Sequence, residues 1–301
     1  MGRHGGNQLS LQNFGEIVYP DEALEPILAR PVQDAMTEWL TEIWAMDELK
    51  AVGLLPRRKA LFTGPPGTGK TTLAHHLAAR LKLPMIIVQS DRLIDSYVGA
   101  TEQNIGRMFD IAREADPHVI FIDEFDTLGV ARRKAEQGAD DARNAMVNVL
   151  LQRMEAYDGF LIAATNRADV LDQAVWRRFD IQIQIALPTE RERALILARY
   201  LDPYVLSDDV MALLAVAFRE ASPALMRQFC ESIKRQIVIG PKVGWDMEKV
   251  PTFNRVLAAV QPHPDLPRPR LWDTAGRDVA VSEMPWPLPL RDPDNRRRRA
   301  A

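Results

Sequence analysis

The sequence predicts an α/β fold: a doubly wound parallel sheet of five strands, followed by a small all-helical domain. Apolar runs alternate with amphipathic segments as far as Pro188, and only helical periodicity follows. The predicted strands are Ala60–Thr63, Met85–Gln89, Val119–Asp123, Phe160–Thr165 and Ile181–Ile185. Four of them are nearly continuous apolar runs, as in strands buried on both faces. Ile181–Ile185 alternates isoleucine with glutamine, which is typical of an edge strand with one wet face.

The remaining chain divides by composition. Residues 1–50 predict a flexible and helical N-terminal segment, and residues 51–187 the α/β domain. Residues 188–240 predict a helical lid domain, because three amphipathic segments there begin at acceptable N-caps. Residues 241–301 hold ten of the 21 prolines and predict an extended tail that buries little.

A glycine-rich loop follows the first predicted strand and precedes an amphipathic segment. Its residues are Gly64, Pro65, Pro66, Gly67, Thr68, Gly69, Lys70 and Thr71, with Thr72 next. This strand–loop–helix context is what a phosphate-binding P-loop requires, since glycines let backbone N–H groups surround a polyphosphate at a helix N-terminus. Lys70 would reach the β- and γ-phosphates of ATP, and the Thr71 hydroxyl would bind Mg²⁺. The motif arises by chance in about one in a hundred chains of this length, so further motifs are needed to support a nucleotide site.

A second motif is the apolar strand Val119–Ile122 running into Asp123 and Glu124, a Walker B pattern. Asp123 would hold Mg²⁺ through water, and Glu124 would polarise the attacking water. Asp123 lies 53 residues after Lys70, past one intervening strand, which predicts that the two motifs meet at the carboxyl ends of adjacent strands.

Two further motifs follow. Asn166 ends the fourth predicted strand and could orient the same water. Arg177 and Arg178 come just before the last strand, too far along the sheet to serve the chain's own nucleotide easily. An arginine supplied by a neighbouring subunit can stabilise charge on the γ-phosphate; a surface ion pair with Asp172 or Asp180 is the alternative.

The motifs GPPGTGKT, VIFIDEFD, AATNR and LDQAVWRRFD, in this order and spacing, resemble the classical AAA clade of the AAA+ ATPases. The similarity covers about residues 14–240. It implies a P-loop NTPase fold with a helical lid, the cofactors ATP and Mg²⁺, and nucleotide sites between the subunits of a homo-oligomeric ring, usually a hexamer. By this resemblance Glu124, Asn166, Arg177 and Arg178 are catalytic, and Thr71 and Asp123 bind the metal.

The resemblance also assigns a substrate pore. Tyr97, Val98 and Gly99 match the aromatic–aliphatic–glycine pore loop that grips an extended polypeptide. The chain departs from the family at Ser222–Leu225, which opens the last lid helix without the usual Gly-Ala-Asp. Arg227 could act there as a sensor toward the γ-phosphate, although a solvent-facing role is favoured.

The leading functional hypothesis is therefore an ATP-driven ring motor that remodels, unfolds or disassembles a protein substrate. The alternative is a nucleic-acid-associated AAA+ ATPase such as a loader or a transposition, replication or packaging helper. The basic segments 132–134 and 296–299 support that alternative, and the net charge of −3 counts against it. The sequence also predicts no membrane span and a cytoplasmic location, because its single cysteine, Cys230, fits a reducing compartment.

Overall fold

The structure, a computed structural model, describes residues 11–94, 99–128 and 138–291. The chain forms two compact units. The first unit holds the described residues of Met1–Pro26, Arg30–Gly64 and Gly69–Ile185. The second holds those of Ile27–Ala29, Pro65–Thr68 and Ala186–Ala301.

A six-stranded sheet forms the centre of the first unit. Its strands are β1 (Gly15–Val18), β2 (Lys59–Thr63), β3 (Met85–Val88), β4 (Val119–Ile122), β5 (Phe160–Thr165) and β6 (Ile181–Gln184). The spatial order is β1-β3-β4-β5-β2-β6, and every neighbouring pair is parallel except β1 with β3. The isoleucines of β6 are buried and its glutamines exposed, so the predicted edge strand is confirmed.

The prediction of five strands was one too few. Strand β1 lies in the segment that was predicted to be only flexible and helical, and it pairs antiparallel with β3. It is four residues long, with apolar residues only at Ile17 and Val18, so no periodicity marks it in the sequence. Gly15 is required at its start, because a Cβ there would lie 2.0 Å from the Ile87 carbonyl oxygen.

The prediction that the P-loop strand and the Walker B strand are adjacent was also wrong. Strand β5 lies between β2 and β4 and pairs with both in parallel register. Chain order alone does not fix strand order in a doubly wound sheet, because each crossover can run to either side. As a result Asn166, directly after β5, lies between the two motifs.

Helices cover both faces of the sheet. Those of the first unit are α1 (Arg30–Trp44), α2 (Met46–Ala51), α3 (Lys70–Arg80), α4 (Ser90–Leu93), α5 (Ala100–Glu114), α6 (Gly138–Ala156) and α7 (Gln173–Trp176). Leu61 and Leu161 belong to one apolar core, whereas the alternate strand residues Phe62 and Phe121 are fully buried on the opposite face. Burial on both faces explains why these strands read as continuous apolar runs.

The second unit is helical. It contains α8 (Glu190–Leu201), α9 (Asp208–Ala217), α10 (Pro223–Ile239), α11 (Lys249–Ala259) and α12 (Thr274–Glu283). Thr189 caps α8 with a capping box, and the Ser222 side chain accepts the N–H of Leu225 at the start of α10. The three lid helices predicted from periodicity are present.

The prediction of an extended tail over residues 241–301 is contradicted as far as residue 291. Residues 249–284 add buried side chains to the same core as α8–α10, among them Phe253 on α11, Trp272 before α12 and Met284 directly after it. Prolines start or separate these short helices rather than preventing them. None of the described helices is both long and apolar enough to cross a membrane.

Candidate active site

The glycine-rich loop leaves β2 in a conformation that needs glycine. Gly64 has φ of +148°, and a Cβ on it would lie 2.1 Å from the carbonyl oxygen of Ile185. Gly69 has φ of +93° and is the N-cap of α3, whose first residue is Lys70. The loop therefore turns directly into a helix N-terminus, where unpaired backbone N–H groups and the helix dipole favour an anion.

Lys70 lies at the centre of the site and is only 7% exposed. Its Nζ donates to the Gly64 carbonyl oxygen at 2.9 Å and to Asn166 Oδ1 at 2.6 Å. Burial lowers the pKa of Lys70, while the charges of Asp123 and Asp126 act in the opposite direction. A partly buried ammonium group beside a helix N-terminus is suited to the oxygens of a polyphosphate, which would add negative charge in the same place.

Asp123 and Thr71 form the second contact of the site. The Thr71 hydroxyl donates to Asp123 Oδ2 at 2.9 Å, and Asp123 Oδ1 accepts the N–H of Glu124 at 2.9 Å. A hydroxyl and a carboxylate are hard oxygen ligands, and Mg²⁺ takes few protein ligands and keeps several waters. This pair of side chains therefore fits Mg²⁺, with water and nucleotide oxygens as the other ligands. The described residues contain no cluster of three or more histidine, cysteine or acidic side chains that could hold a metal alone.

Glu124 is exposed and has φ of +48° and ψ of +43°, a left-handed conformation that is unfavourable for a non-glycine residue. The following turn holds it in place. Phe125 is fully buried, and Thr127 donates to the Glu124 carbonyl oxygen through both its N–H and its hydroxyl, at 2.9 Å each. Strained backbone of this kind is often found at active sites. The left-handed turn leaves the Glu124 side chain exposed next to Asp123, as a general base that acts on a water molecule would have to be.

Two polar residues join this site although the sequence analysis gave them no role. The Thr165 hydroxyl donates to Asp126 Oδ1 at 2.6 Å and accepts the N–H of Arg167 at 2.9 Å. These two bonds hold the end of β5 in place. Asn166 lies between Thr165 and Arg167, so its position is held as well. The signal in the sequence was their proximity to predicted site residues, since Thr165 comes one position before Asn166 and Asp126 two positions after Glu124.

Arg177 and Arg178 lie elsewhere on the sheet. Arg177 is exposed, and Arg178 Nη2 donates to Glu155 Oε2 at 3.2 Å, at the end of α6. Arg178 therefore forms a surface ion pair, the alternative that the sequence left open, and the partner that the structure gives is Glu155. Asp172 accepts the N–H of Ala174 as the N-cap of α7.

Asp180 also has a different role from the one considered. Its Oδ2 accepts the backbone N–H groups of Arg58 and Lys59 at 3.0 Å each. The arginine pair therefore lies level with the first residues of β2, at the end of that strand opposite to the glycine-rich loop.

The predicted pore residues Tyr97 and Val98 lie outside the described residues. Gly99 is described, has φ of +81°, and is the N-cap of α5. Arg227, on α10, forms an ion pair with Glu231 one turn on, with 52% of its side chain exposed, in keeping with the solvent-facing role that the sequence favoured.

Comparison with known proteins agrees with this geometry. The family model described as "ATPase family associated with various cellular activities (AAA)" matches residues 60–187. This range begins in β2, ends after β6 and contains the whole site. Residues 60–187 form an ATPase domain of the AAA family.

Relatives of this AAA domain include proteins named as metalloproteases and as AAA ATPases. The ATP-dependent zinc metalloprotease FtsH of Buchnera aphidicola subsp. Schizaphis graminum is 37% identical over 203 residues, which cover 65% of this chain and 32% of FtsH. An uncharacterized AAA family ATPase, y4kL, of Sinorhizobium fredii is 45% identical over 157 residues, covering 52% of this chain and 46% of y4kL. The chain thus matches about a third of the length of the FtsH relatives.

A solved structure shares the fold. The crystal structure titled "FIGL-1 AAA domain" has a TM-score of 0.67 and 23% identity, covering 93% of this chain and 95% of the other. Because this coverage extends well beyond residue 240, the helices of the C-terminal region belong to the shared fold rather than to an appended tail.

Proposed function

We propose that this AAA protein is an ATP-hydrolysing ring motor that remodels a protein substrate through a central pore. One observation carries the proposal. Lys70, Asp123 and Asn166 meet at the carboxyl end of the sheet, whereas Arg177 and Arg178 lie at its opposite end. Each protomer would bind nucleotide at one end of the sheet and present its arginines at the other end. The arginines could then complete the nucleotide site of a neighbouring copy.

The dimensions of β2 support shared sites. Asp180 holds the arginine segment at Arg58, and the glycine-rich loop begins at Gly64. Six residues of strand extend roughly 20 Å, more than an arginine side chain can span. An arginine contributed by a neighbour is worth roughly 10³–10⁵ in the rate of phosphoryl transfer, so the pair would be costly to leave unused.

Within one protomer the remaining side chains divide the chemistry. Lys70 and the N-terminus of α3 bind the β- and γ-phosphates of ATP. Glu124 accepts a proton from the attacking water, and Asn166 orients that water through its amide. Thr71 and Asp123 hold Mg²⁺, which supplies neutralisation of phosphate charge when bound.

The proposal that the substrate is a protein rests on the sequence. Tyr97 and Val98 match an AAA pore loop, and Gly99 at the start of α5 supports a sharp turn there. The proposal does not include the proteolysis named for the FtsH relatives, because the part of FtsH that this chain matches is about a third of its length and the 301 residues contain no H-E-x-x-H motif. A cytoplasmic location is part of the proposal, since Cys230 is a buried free thiol. A hexamer is the expected ring.

The deciding experiment mixes two inactive variants. Lys70→Ala removes nucleotide binding but leaves the arginines, and the double variant Arg177→Ala, Arg178→Ala does the reverse. Mixed assemblies should regain ATPase activity that neither variant has alone. A wild-type rate from protomers that sedimentation shows to be monomeric would contradict the shared site.

The pore has its own test. Tyr97→Ala should abolish ATP-dependent unfolding of a tagged test protein and leave basal ATPase within about two-fold, since no catalytic group is removed. Val88→Ala, a buried change on β3, controls for general loss of stability. Unfolding at the wild-type rate by the Tyr97 variant would remove the pore assignment.

A further inference from the structure

One aromatic contact joins the Walker B turn to the arginine segment. The rings of Phe125 and Phe179 meet edge to face, with centroids 5.5 Å apart and an interplanar angle of 81°. Phe125 follows Glu124 directly, and Phe179 follows Arg178 directly. Both rings are buried, at 0% and 4% exposure. A single buried contact thus lies one residue away from the proposed base and one residue away from the proposed arginine pair.

Two polar contacts also hold the arginine segment. Asp180 ties the arginine segment to the first residues of β2, and Arg178 ties it to Glu155 at the end of α6. Both of these attachments are on the side away from the glycine-rich loop. The Phe125–Phe179 contact instead leads toward the nucleotide site, because Phe125 follows Glu124.

The Walker B turn is itself held tightly. Glu124 adopts a left-handed conformation, and Thr127 and the buried Phe125 hold that turn in place. A strained turn persists only where its surroundings determine it, so a change at Asp123 or Glu124 is transmitted to the ring of Phe125 rather than absorbed locally.

We infer that Phe179 is a positioning residue that acts through its contact with Phe125. This contact aligns the Arg177–Arg178 pair, which a protomer offers to its neighbour, with the Walker B turn of the same protomer. The inference rests on the proposed function, because it needs the arginines to act in the next subunit. Both phenylalanines are buried, and their side chains carry no group for acid–base or nucleophilic chemistry. Their effect is on the geometry of the arginine pair, and through it on the neighbour's rate.

The mixed assemblies tell positioning from simple core packing. In them the Lys70→Ala protomer donates arginines, and the Arg177→Ala, Arg178→Ala protomer supplies the only working nucleotide site. Phe179→Leu in the donor should lower the recovered ATPase roughly 2- to 10-fold, the range expected for loss of one aromatic pair. Phe179→Leu in the acceptor should lower the rate less than it does in the donor, because the acceptor's own arginines are already removed.

The same core offers a matched control. Phe109 and Tyr157 also meet edge to face, with centroids 5.6 Å apart, but they connect α5 to the end of α6 rather than the two functional segments. Phe109→Leu should act equally in donor and acceptor. Phe125→Leu in the donor should match Phe179→Leu there, and the two together should cost no more than either alone.

The outcomes separate cleanly. Equal losses from Phe179→Leu in donor and acceptor would reduce the contact to core packing and overturn the inference. Additive losses from the two phenylalanines would overturn it as well. No recovered activity in the parent mixture, with mixed assemblies demonstrated by mass, would instead overturn the shared site and the inference with it.

Discussion

Lys70 Nζ lies 2.6 Å from Asn166 Oδ1, so the lysine of the glycine-rich loop and the residue after β5 are in direct contact. The contact depends on the strand order, because β5 separates β2 from the Walker B strand β4. An amide at this position can accept from Lys70 and still donate through its nitrogen to a water or a phosphate oxygen. Asn166 can therefore contact Lys70 and a water or phosphate oxygen at the same time.

Asn166→Ala is expected to lower kcat for ATP hydrolysis by about 10²-fold, because it removes one preorganised donor from the reacting centre. The KM for ATP should change little, since the glycine-rich loop and Lys70 remain. Steady-state ATPase kinetics with a titration of ATP measure both values. Asn104→Ala is a matched control, because Asn104 is an asparagine of the same unit that lies outside the site, where it donates to the backbone oxygen of Leu93. A rise in KM with unchanged kcat would contradict the role given to Asn166.

Glu124→Gln should bind ATP as tightly as the wild type and hydrolyse it about 10²- to 10⁴-fold more slowly. The amide keeps the shape of the side chain but cannot accept the proton of the attacking water. Equilibrium binding of labelled ATP and single-turnover hydrolysis measure the two effects separately. Glu114→Gln, an exposed change at the end of α5, is the control. Near-normal turnover by the Glu124 variant would assign the base elsewhere. The ATP-bound variant is also the form with which to capture the protein substrate.

Trp272→Ala tests whether the C-terminal helices are part of the folded helical unit. The Trp272 ring packs edge to face on Phe218, with centroids 5.7 Å apart, and its Nε1 donates to the Val260 carbonyl oxygen at 2.8 Å. Removing a buried tryptophan costs about 3–5 kcal/mol in the free energy of unfolding. Urea denaturation of the variant should show this loss. Trp245→Ala, at a residue 44% exposed, should cost much less. Equal, small effects would mean that the tail does not pack.

The sequence predicted the parts of this molecule whose signals are local. The apolar strands, the edge strand Ile181–Gln184 and the glycine-rich loop each follow from the pattern of a few neighbouring residues. Strand order does not, because the position of β5 between β2 and β4 depends on the path of the crossovers. The antiparallel strand Gly15–Val18 is too short for a pattern and is specified by its pairing with β3.

The prediction for the C-terminal region was wrong for a different reason. Proline content predicts an extended chain, yet Phe253 and Trp272 are buried in a core shared with α8–α10. Tertiary burial outweighs local composition when the partner surface is apolar and already formed. The ion pair of Arg178 with Glu155 was missed likewise, because the two residues are 23 positions apart and no spacing rule connects them.

His118→Asn should make the protein less sensitive to acid. His118 precedes β4, is 7% exposed, and contacts the Asp116 carbonyl oxygen through Nδ1 at 2.7 Å, while its Nε2 has no hydrogen-bond partner in the described part of the chain. Burial lowers the pKa of His118 in the folded state. Between that pKa and the unfolded value of about 6.5, the unfolded chain binds more protons, so stability falls as the pH drops through this window. Each pKa unit of difference is worth about 1.4 kcal/mol.

Asparagine cannot titrate and can still donate to the Asp116 carbonyl oxygen, so the variant isolates the protonation effect. Free energies of unfolding by urea at pH 7.5 and pH 5.5 should differ less for His118→Asn than for the wild type. His263→Asn, at a histidine with 46% of its side chain exposed, should leave the wild-type difference unchanged. If both variants respond to acid as the wild type does, the acid sensitivity of the AAA domain arises from its carboxylates rather than from the orphaned ring nitrogen beside β4.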